Sequence, residues 1–275
     1  MRVVVKPLLA SLALMASMTA CRQEAPGVPQ APAPAPAATP AAQPPAGPVQ
    51  LKDAVETDPR YVVGISYPPS INQYPGLAAA VDTYVKGERA ELMEAVNALG
   101  NDKPTAPYEL SLDFQQVLET PQLVAIAGDG SRYTGGAHGE PLVARFVWLP
   151  KQDKLLAADQ LIPSADGWLA ISRYVREQLR TDVSVRADAD EMSPEDRQRF
   201  VSNADKMIDA GTEPESENFR QYQPLADAQG RITALRFVFP PYQVGPYADG
   251  TQSVDVPVAA LKPYLAPEYA GLFAP

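Results

Sequence analysis

Tyr133-Thr134-Gly135-Gly136-Ala137-His138-Gly139 runs almost directly into an apolar stretch, Leu142 to Leu149, and the two segments together decide the fold. The heptapeptide holds the only histidine among 275 residues, and three of the chain's 17 glycines. Glycines so close together open backbone angles closed to other residues and let a second backbone or a ligand approach. The segment is a tight turn or a recognition loop, and the residues alone leave both readings open. In the apolar stretch, Phe146 and Trp148 fall on one side and Val143, Val147 and Leu149 on the other. A strand apolar on both faces belongs in the interior of a sheet covered on both sides.

Upstream, Tyr108, Leu110, Leu112 and Phe114 alternate with Glu109, Ser111 and Asp113, the period of a half-buried strand. A second strand, Gln122 to Ala127, follows Thr120-Pro121, so the two are expected to form an antiparallel hairpin. Further back, Leu77, Val81, Val85, Leu92, Val96 and Leu99 share one face of a helix over 76–99, stopped by Gly100-Asn101. Gly87 marks a possible bend in it. Before that helix, Arg60 to Tyr67 reads as a first strand, ended by Pro68-Pro69.

Downstream, Trp168, Ile171, Val175 and Leu179 line a second helix, and acidic residues 182–191 read as a solvated linker. Ser193-Pro194-Glu195-Asp196 has the cap, the first-turn proline and the acids that start a third helix. Arg231 to Phe239 is a strand, followed by a rigid aromatic loop, Pro240 to Tyr247. A short strand at Ser253–Val258 and a short helix at Val258–Leu265 complete the chain. The fold class is therefore α+β, an antiparallel sheet with packed helices.

The first twenty residues stand outside this fold. Arg2 and Lys6 precede a short apolar run, Leu8 to Met18, which is the pattern of an export signal. Met18-Thr19-Ala20-Cys21 resembles the bacterial lipobox, in which the cysteine becomes the acylated first residue. With Arg22 rather than aspartate after it, the Gram-negative sorting pattern implies the periplasmic face of the outer membrane. Residues 21–50 are a Pro/Ala-rich tether that reaches about 70–80 Å when fully extended. The expected organisation is a signal peptide over 1–20, the tether over 21–50, an N-terminal part of the α+β module over 51–130 and a C-terminal part over 131–275. Cleavage of the leader takes the formal charge from −10 to −12, since residues 1–20 hold Arg2 and Lys6 but no acid. So acidic a protein repels phosphates, which argues against nucleic acid as a partner.

Chemistry is harder to find. A Ser–His–acid constellation must use His138, yet no Gly-x-Ser-x-Gly elbow is present. With Cys21 acylated no thiol remains for catalysis or metal binding. No His-Glu-x-x-His or calcium-loop spacing occurs, so no metal and no cofactor are expected. Binding fares better. Tyrosine joins a large ring to a polar tip, which suits recognition surfaces. Tyr133, Gly135, Gly136 and His138 of one loop, with Tyr242 and Tyr247 of the other, are the candidate ligand-binding residues. The alternative is that these tyrosines cap the edge of the core.

Two separated motifs carry a family resemblance. Tyr133–Gly139 with its following strand and the Leu156–Ile162 segment resembles the RsiV-like extracytoplasmic domain, as does Phe239-Pro240-Pro241-Tyr242-Gln243-Val244-Gly245-Pro246-Tyr247-Ala248-Asp249-Gly250. Ile65-Ser66-Tyr67-Pro68-Pro69 with its helix is similar to the partner region of that architecture. The resemblance implies helices packed on an antiparallel sheet. It also implies kinship with the outer domain of a lysozyme-binding anti-sigma factor and with domains that accompany peptidoglycan deacetylases. Neither a cytoplasmic anti-sigma segment nor a deacetylase catalytic domain with its metal-binding histidines is recognisable here. What carries over is a non-enzymatic, lipid-anchored envelope protein that binds lysozyme-type muramidases or a cell-wall glycan. An envelope hydrolase using His138 and a purely structural lipoprotein are the competing readings.

Overall fold

The computed structural model describes residues 47–275. Cys21, the signal peptide and most of the tether lie outside them. Five strands and one helix open the fold: β1 (Ala54–Thr57), β2 (Tyr61–Ser66), α1 (Pro75–Ala98), β3 (Tyr108–Glu119), β4 (Val124–Tyr133) and β5 (Glu140–Leu149). Next come β6 (Lys154–Leu155), α2 (Ala158–Leu161), α3 (Ala165–Ala189) and α4 (Pro194–Gly211). The chain ends with β7 (Tyr222–Ala226), β8 (Ile232–Phe239), β9 (Gln252–Pro257) and α5 (Val258–Leu261). Strands β1 to β6 form one six-stranded sheet in sequence order, and β7 to β9 form a three-stranded sheet. Every pairing is antiparallel except β2 with β3. That exception has a simple cause. Helix α1 lies between those two strands, and a strand–helix–strand crossover returns the chain in the same direction.

The expected α+β class holds, and β5 shows why. Its two apolar faces serve two different cores. Leu142 and Trp148 join the cluster under α1, with Val81, Val85, Leu92, Leu110 and Leu112. Val147 and Leu149 join the other cluster, with Trp168 and Val175 of α3, Phe237 and Phe239 of β8, and Val256 of β9. One strand thus holds the sheet between the first helix and the second half of the fold.

Further features depart from the sequence reading. Helix α1 runs unbroken through Gly87. Residues 182–189, expected as linker, continue α3, because Leu179, Val183 and Ala187 extend the inward stripe at four-residue spacing and Ala187 is 1% exposed. Strand β7 contains Pro224, which hides it from a strand pattern; β7 is an edge of the second sheet, where a missing N–H costs no ladder bond. The expected start of α4 is present. Ser193 accepts from the Asp196 amide at 3.2 Å, and Pro194 opens the first turn.

Candidate functional site

The β4–β5 hairpin projects residues 134–139 from one end of the first sheet, and Gly135 and Gly136 close it with φ of 103° and 96°. Those left-handed angles favour glycine, so the double glycine is a requirement of this turn. At its base Arg132 faces Glu140 directly across the two strands. Tyr133 turns back on the hairpin. Its hydroxyl donates to the Gly136 carbonyl at 3.3 Å, and its ring meets Tyr108 edge-on with centroids 6.4 Å apart.

The second loop leaves β8 at Phe239. Tyr242 is a non-glycine residue at φ 74°, held there by its amide bond to the Gly245 carbonyl at 2.9 Å and by the Gln243 amide to Pro240 at 3.1 Å. A bulky residue in this region carries strain that its surroundings must sustain, and such strain collects at functional positions. The surroundings are identifiable. Gln243 donates from Nε2 to the carbonyls of Gly211 and Asn218 at 2.9 and 2.8 Å. Gly211, the last residue of α4, permits the close approach, because a Cβ there would lie 1.9 Å from the Gln243 carbonyl oxygen. Thr212 in turn is fully buried and accepts from Arg176 Nε of α3 through its hydroxyl at 2.9 Å. Farther along the loop, Arg186 of α3 donates to Asp249 at 2.8 Å and pins the turn that carries Tyr247.

These two loops meet. The Tyr242 hydroxyl lies 3.1 Å from His138 Nε2, across 104 residues of sequence. The His138 ring stacks on Tyr247 with centroids 3.9 Å apart and planes 18° from parallel. Tyr242 and Tyr247 sit 5.8 Å apart. On the other side of the imidazole, Nδ1 is 3.2 Å from the Gly139 carbonyl. A carbonyl only accepts, so in the neutral ring Nδ1 carries the proton and Nε2 accepts from the tyrosine. His138 is therefore a clip between loops, and its basic nitrogen is already engaged. All three rings remain accessible: His138 is exposed, Tyr242 is 55% exposed and Tyr247 37%.

Beside this cluster lies a cavity of about 440 Å³, lined among others by Thr134, Gly135, His138, Glu140, Pro241 and Tyr242. The charge beneath it is lopsided. Arg132, with a side chain only 10% exposed, pairs with Glu88 and Glu91 of α1 and, at 2.6 Å, with Glu140. Burial holds the Glu88 carboxyl above its usual value, outweighing the pull of Arg132. A larger cavity of about 620 Å³ runs along α3 from Leu169 to Asp188 and contains none of the residues singled out in the sequence.

Of those residues, the structure brings His138, Tyr242 and Tyr247 together, gives Gly135 and Gly136 the shaping of the loop, and turns Tyr133 toward Tyr108. It adds Arg132 with its three carboxylates, and the Gly211–Gln243 support. Opposite charges flanking the hairpin at 132 and 140 were the available signal for the first addition. Among the described residues, no group of three or more His, Cys, Asp and Glu side chains could hold a metal ion. Nor is any helix there long and apolar enough to cross a membrane.

An α+β frame with an aromatic cluster joining its two halves sets the context for the known proteins this chain resembles. Two family models match it in separate parts: the deacetylase PdaC over residues 55–140, and a protein of unknown function, DUF3298, over residues 162–259. The first match includes the His138 loop and the second includes Tyr242 and Tyr247, so the cluster bridges the two matched segments. Among curated proteins, the chain is similar to the peptidoglycan-N-acetylmuramic acid deacetylase PdaC of Bacillus subtilis, at 23% identity over 224 residues. That alignment covers 81% of this chain but 43% of the relative, so the chain spans less than half of the enzyme's length. Among solved structures, a DUF3298 family protein of Pseudomonas aeruginosa matches with a TM-score of 0.50 at 17% identity, covering 82% of this chain and 94% of that one. A DUF3298 family member from Bacteroides fragilis matches at 16% identity with a TM-score of 0.48, covering 79% and 94%. The Pseudomonas likeness speaks for the fold.

Proposed function

We propose that this chain is a lipid-anchored envelope protein whose folded part binds a peptidoglycan-type glycan through the His138–Tyr242–Tyr247 cluster, without catalysis of its own. The observation that carries the reading is the exposed aromatic cluster itself, built from two strained or glycine-shaped loops and opening on a cavity. Aromatic faces held rigid in this way suit the apolar faces of sugar rings and cost little entropy on binding. The similarity to a peptidoglycan deacetylase supports a cell-wall glycan as the ligand. The lipobox at Cys21 supports an address at the periplasmic face of the outer membrane, with residues 21–50 as a tether and the parts 51–130 and 131–275 as one working module.

A second reading, that a module resembling the RsiV-like domain binds a lysozyme-type muramidase, is favoured by the net charge of −12 that remains once Arg2 and Lys6 are removed from −10, and by the three carboxylates around Arg132, which attract a basic partner. The hydrolase reading is less favoured because the hydroxyl facing His138 Nε2 belongs to Tyr242, not to a serine, and Nδ1 meets the Gly139 carbonyl, not a carboxylate. Co-sedimentation with insoluble peptidoglycan tests the leading reading, with lysozyme retention measured in parallel. Sedimentation that is lost in Tyr242→Ala supports the glycan. Retention of lysozyme alone transfers the site to the second reading, and neither signal rejects both.

A further inference from the structure

We propose that the cavity beside His138 and Tyr242 prefers glycans carrying a free amine, that is de-N-acetylated amino sugars, over their N-acetylated counterparts, and that Glu140 determines this preference. The inference rests on the glycan-binding reading above and names the ligand class more narrowly. Two charged side chains line the cavity, Arg132 and Glu140. They do not cancel. Arg132 is buried and shared among three carboxylates, so one guanidinium stands against Glu88, Glu91 and Glu140. Even with the buried Glu88 set aside, two acids face one base.

The surplus is also on the accessible side. The side chains of Glu91 and Glu140 are each 62% exposed, against 17% for Glu88. The adjoining cavity repeats the sign. Glu88, Glu140 and Glu217 contribute to its lining, and its one cation, Arg220, is paired with Glu217. A ligand seated against Tyr242 thus meets an aromatic face on one side and net negative charge on the other. That combination attracts an ammonium group, by cation–π contact and by charge. An N-acetyl group in the same place brings no charge and carries added bulk. The reaction class that supplies such a ligand is amide hydrolysis of an N-acetylated sugar, which releases acetate and leaves the amine.

Matched oligosaccharides separate the two levels of the claim. The full chain is titrated at pH 6 with a chitosan tetrasaccharide and with the corresponding chitin tetrasaccharide, which differ only in N-acetylation. The expected result is roughly 2–5-fold tighter binding of the amine form at about 20 mM salt, the scale of attraction to an exposed ion pair. The ratio should fall below about 2-fold near 0.5 M salt, where screening is nearly complete at these distances. In Glu140→Gln the ratio should fall toward 2-fold or less already at low salt. Equal affinities, tighter binding of the acetylated form, or a preference that survives both salt and Glu140→Gln overturns the inference while the glycan reading stands. Binding of neither sugar overturns both. The salt series on the unaltered chain decides the matter even if the variant fails to fold.

Discussion

Replacing Gly211 by alanine should loosen the candidate site from behind, without touching any residue that lines it. The added Cβ would stand 1.9 Å from the Gln243 carbonyl oxygen and 2.6 Å from its carbon, both backbone atoms. To restore ordinary contact the carbonyl must retreat by roughly 1.5 Å. That movement is resisted by the two hydrogen bonds from Gln243 Nε2, one of which ends on Gly211 itself. Overpacking of this kind costs about 1–3 kcal/mol, and loss of the two bonds adds about 0.5–1.5 kcal/mol each. The gain in helix propensity at the last position of α4 returns less than about 1 kcal/mol. The net loss is therefore about 1–6 kcal/mol, a fall in Tm of roughly 2–24 °C for a domain of this size. Calorimetry measures the fall. The single histidine supplies the local readout, because its ring protons lie in the shielding cone of Tyr247, with centroids 3.9 Å apart. In the untagged Gly211→Ala protein these resonances should move toward random-coil positions as the Tyr242 loop shifts. An unchanged Tm together with unchanged His138 resonances would refute the claim that α4 supports the loop.

Arg132→Met should destabilise the fold by roughly 2–3 kcal/mol at pH 7 in urea titration, because three carboxylates lose a common partner, with the figure discounted for the exposure of Glu91 and Glu140. Glu88→Gln should change the pH profile in a defined direction. Burial raises the folded Glu88 carboxyl above its ordinary 4.5, so the folded state holds a proton that the unfolded state releases, and stability falls as pH rises through that window. The variant should accordingly gain on the wild type in denaturant midpoints as pH rises above about 4.5; a variant that loses ground there contradicts the assignment. Ser193→Ala removes the cap on the Asp196 amide and should cost about 1 kcal/mol, read from the same titrations.

Legibility in the sequence followed the strength of each local pattern. Helix α1 and strand β5 were plain because their apolar residues repeat at the spacing of the element and end up in the cores. Strand β1 was invisible because its one large apolar residue, Val55, is 82% exposed, so no burial pattern exists to be read. Strand β7 was hidden by Pro224, and the last turns of α3 by acidic residues that cover a stripe of small inward ones. At the site, both loops were readable as unusual segments, because glycine and proline punctuate them. Grouping them as one candidate surface anticipated their meeting, but the contact itself depends on how two sheets pack across 104 residues. The carboxylates around Arg132 were unreadable for the same reason. Glu88 and Glu91 reach it only once α1 crosses the sheet.

The central claim is that the Tyr242 face, clipped to His138 and backed by Tyr247, binds cell-wall glycan. Isothermal titration of soluble peptidoglycan fragments into the full chain, alongside its Tyr242→Ala variant, tests it most directly. Tyr242 is largely exposed, so the variant should keep its Tm while its affinity drops by about tenfold or more, the loss of one aromatic contact. Equal affinity in the two proteins, or no heat from the wild type at millimolar fragment, would contradict the account.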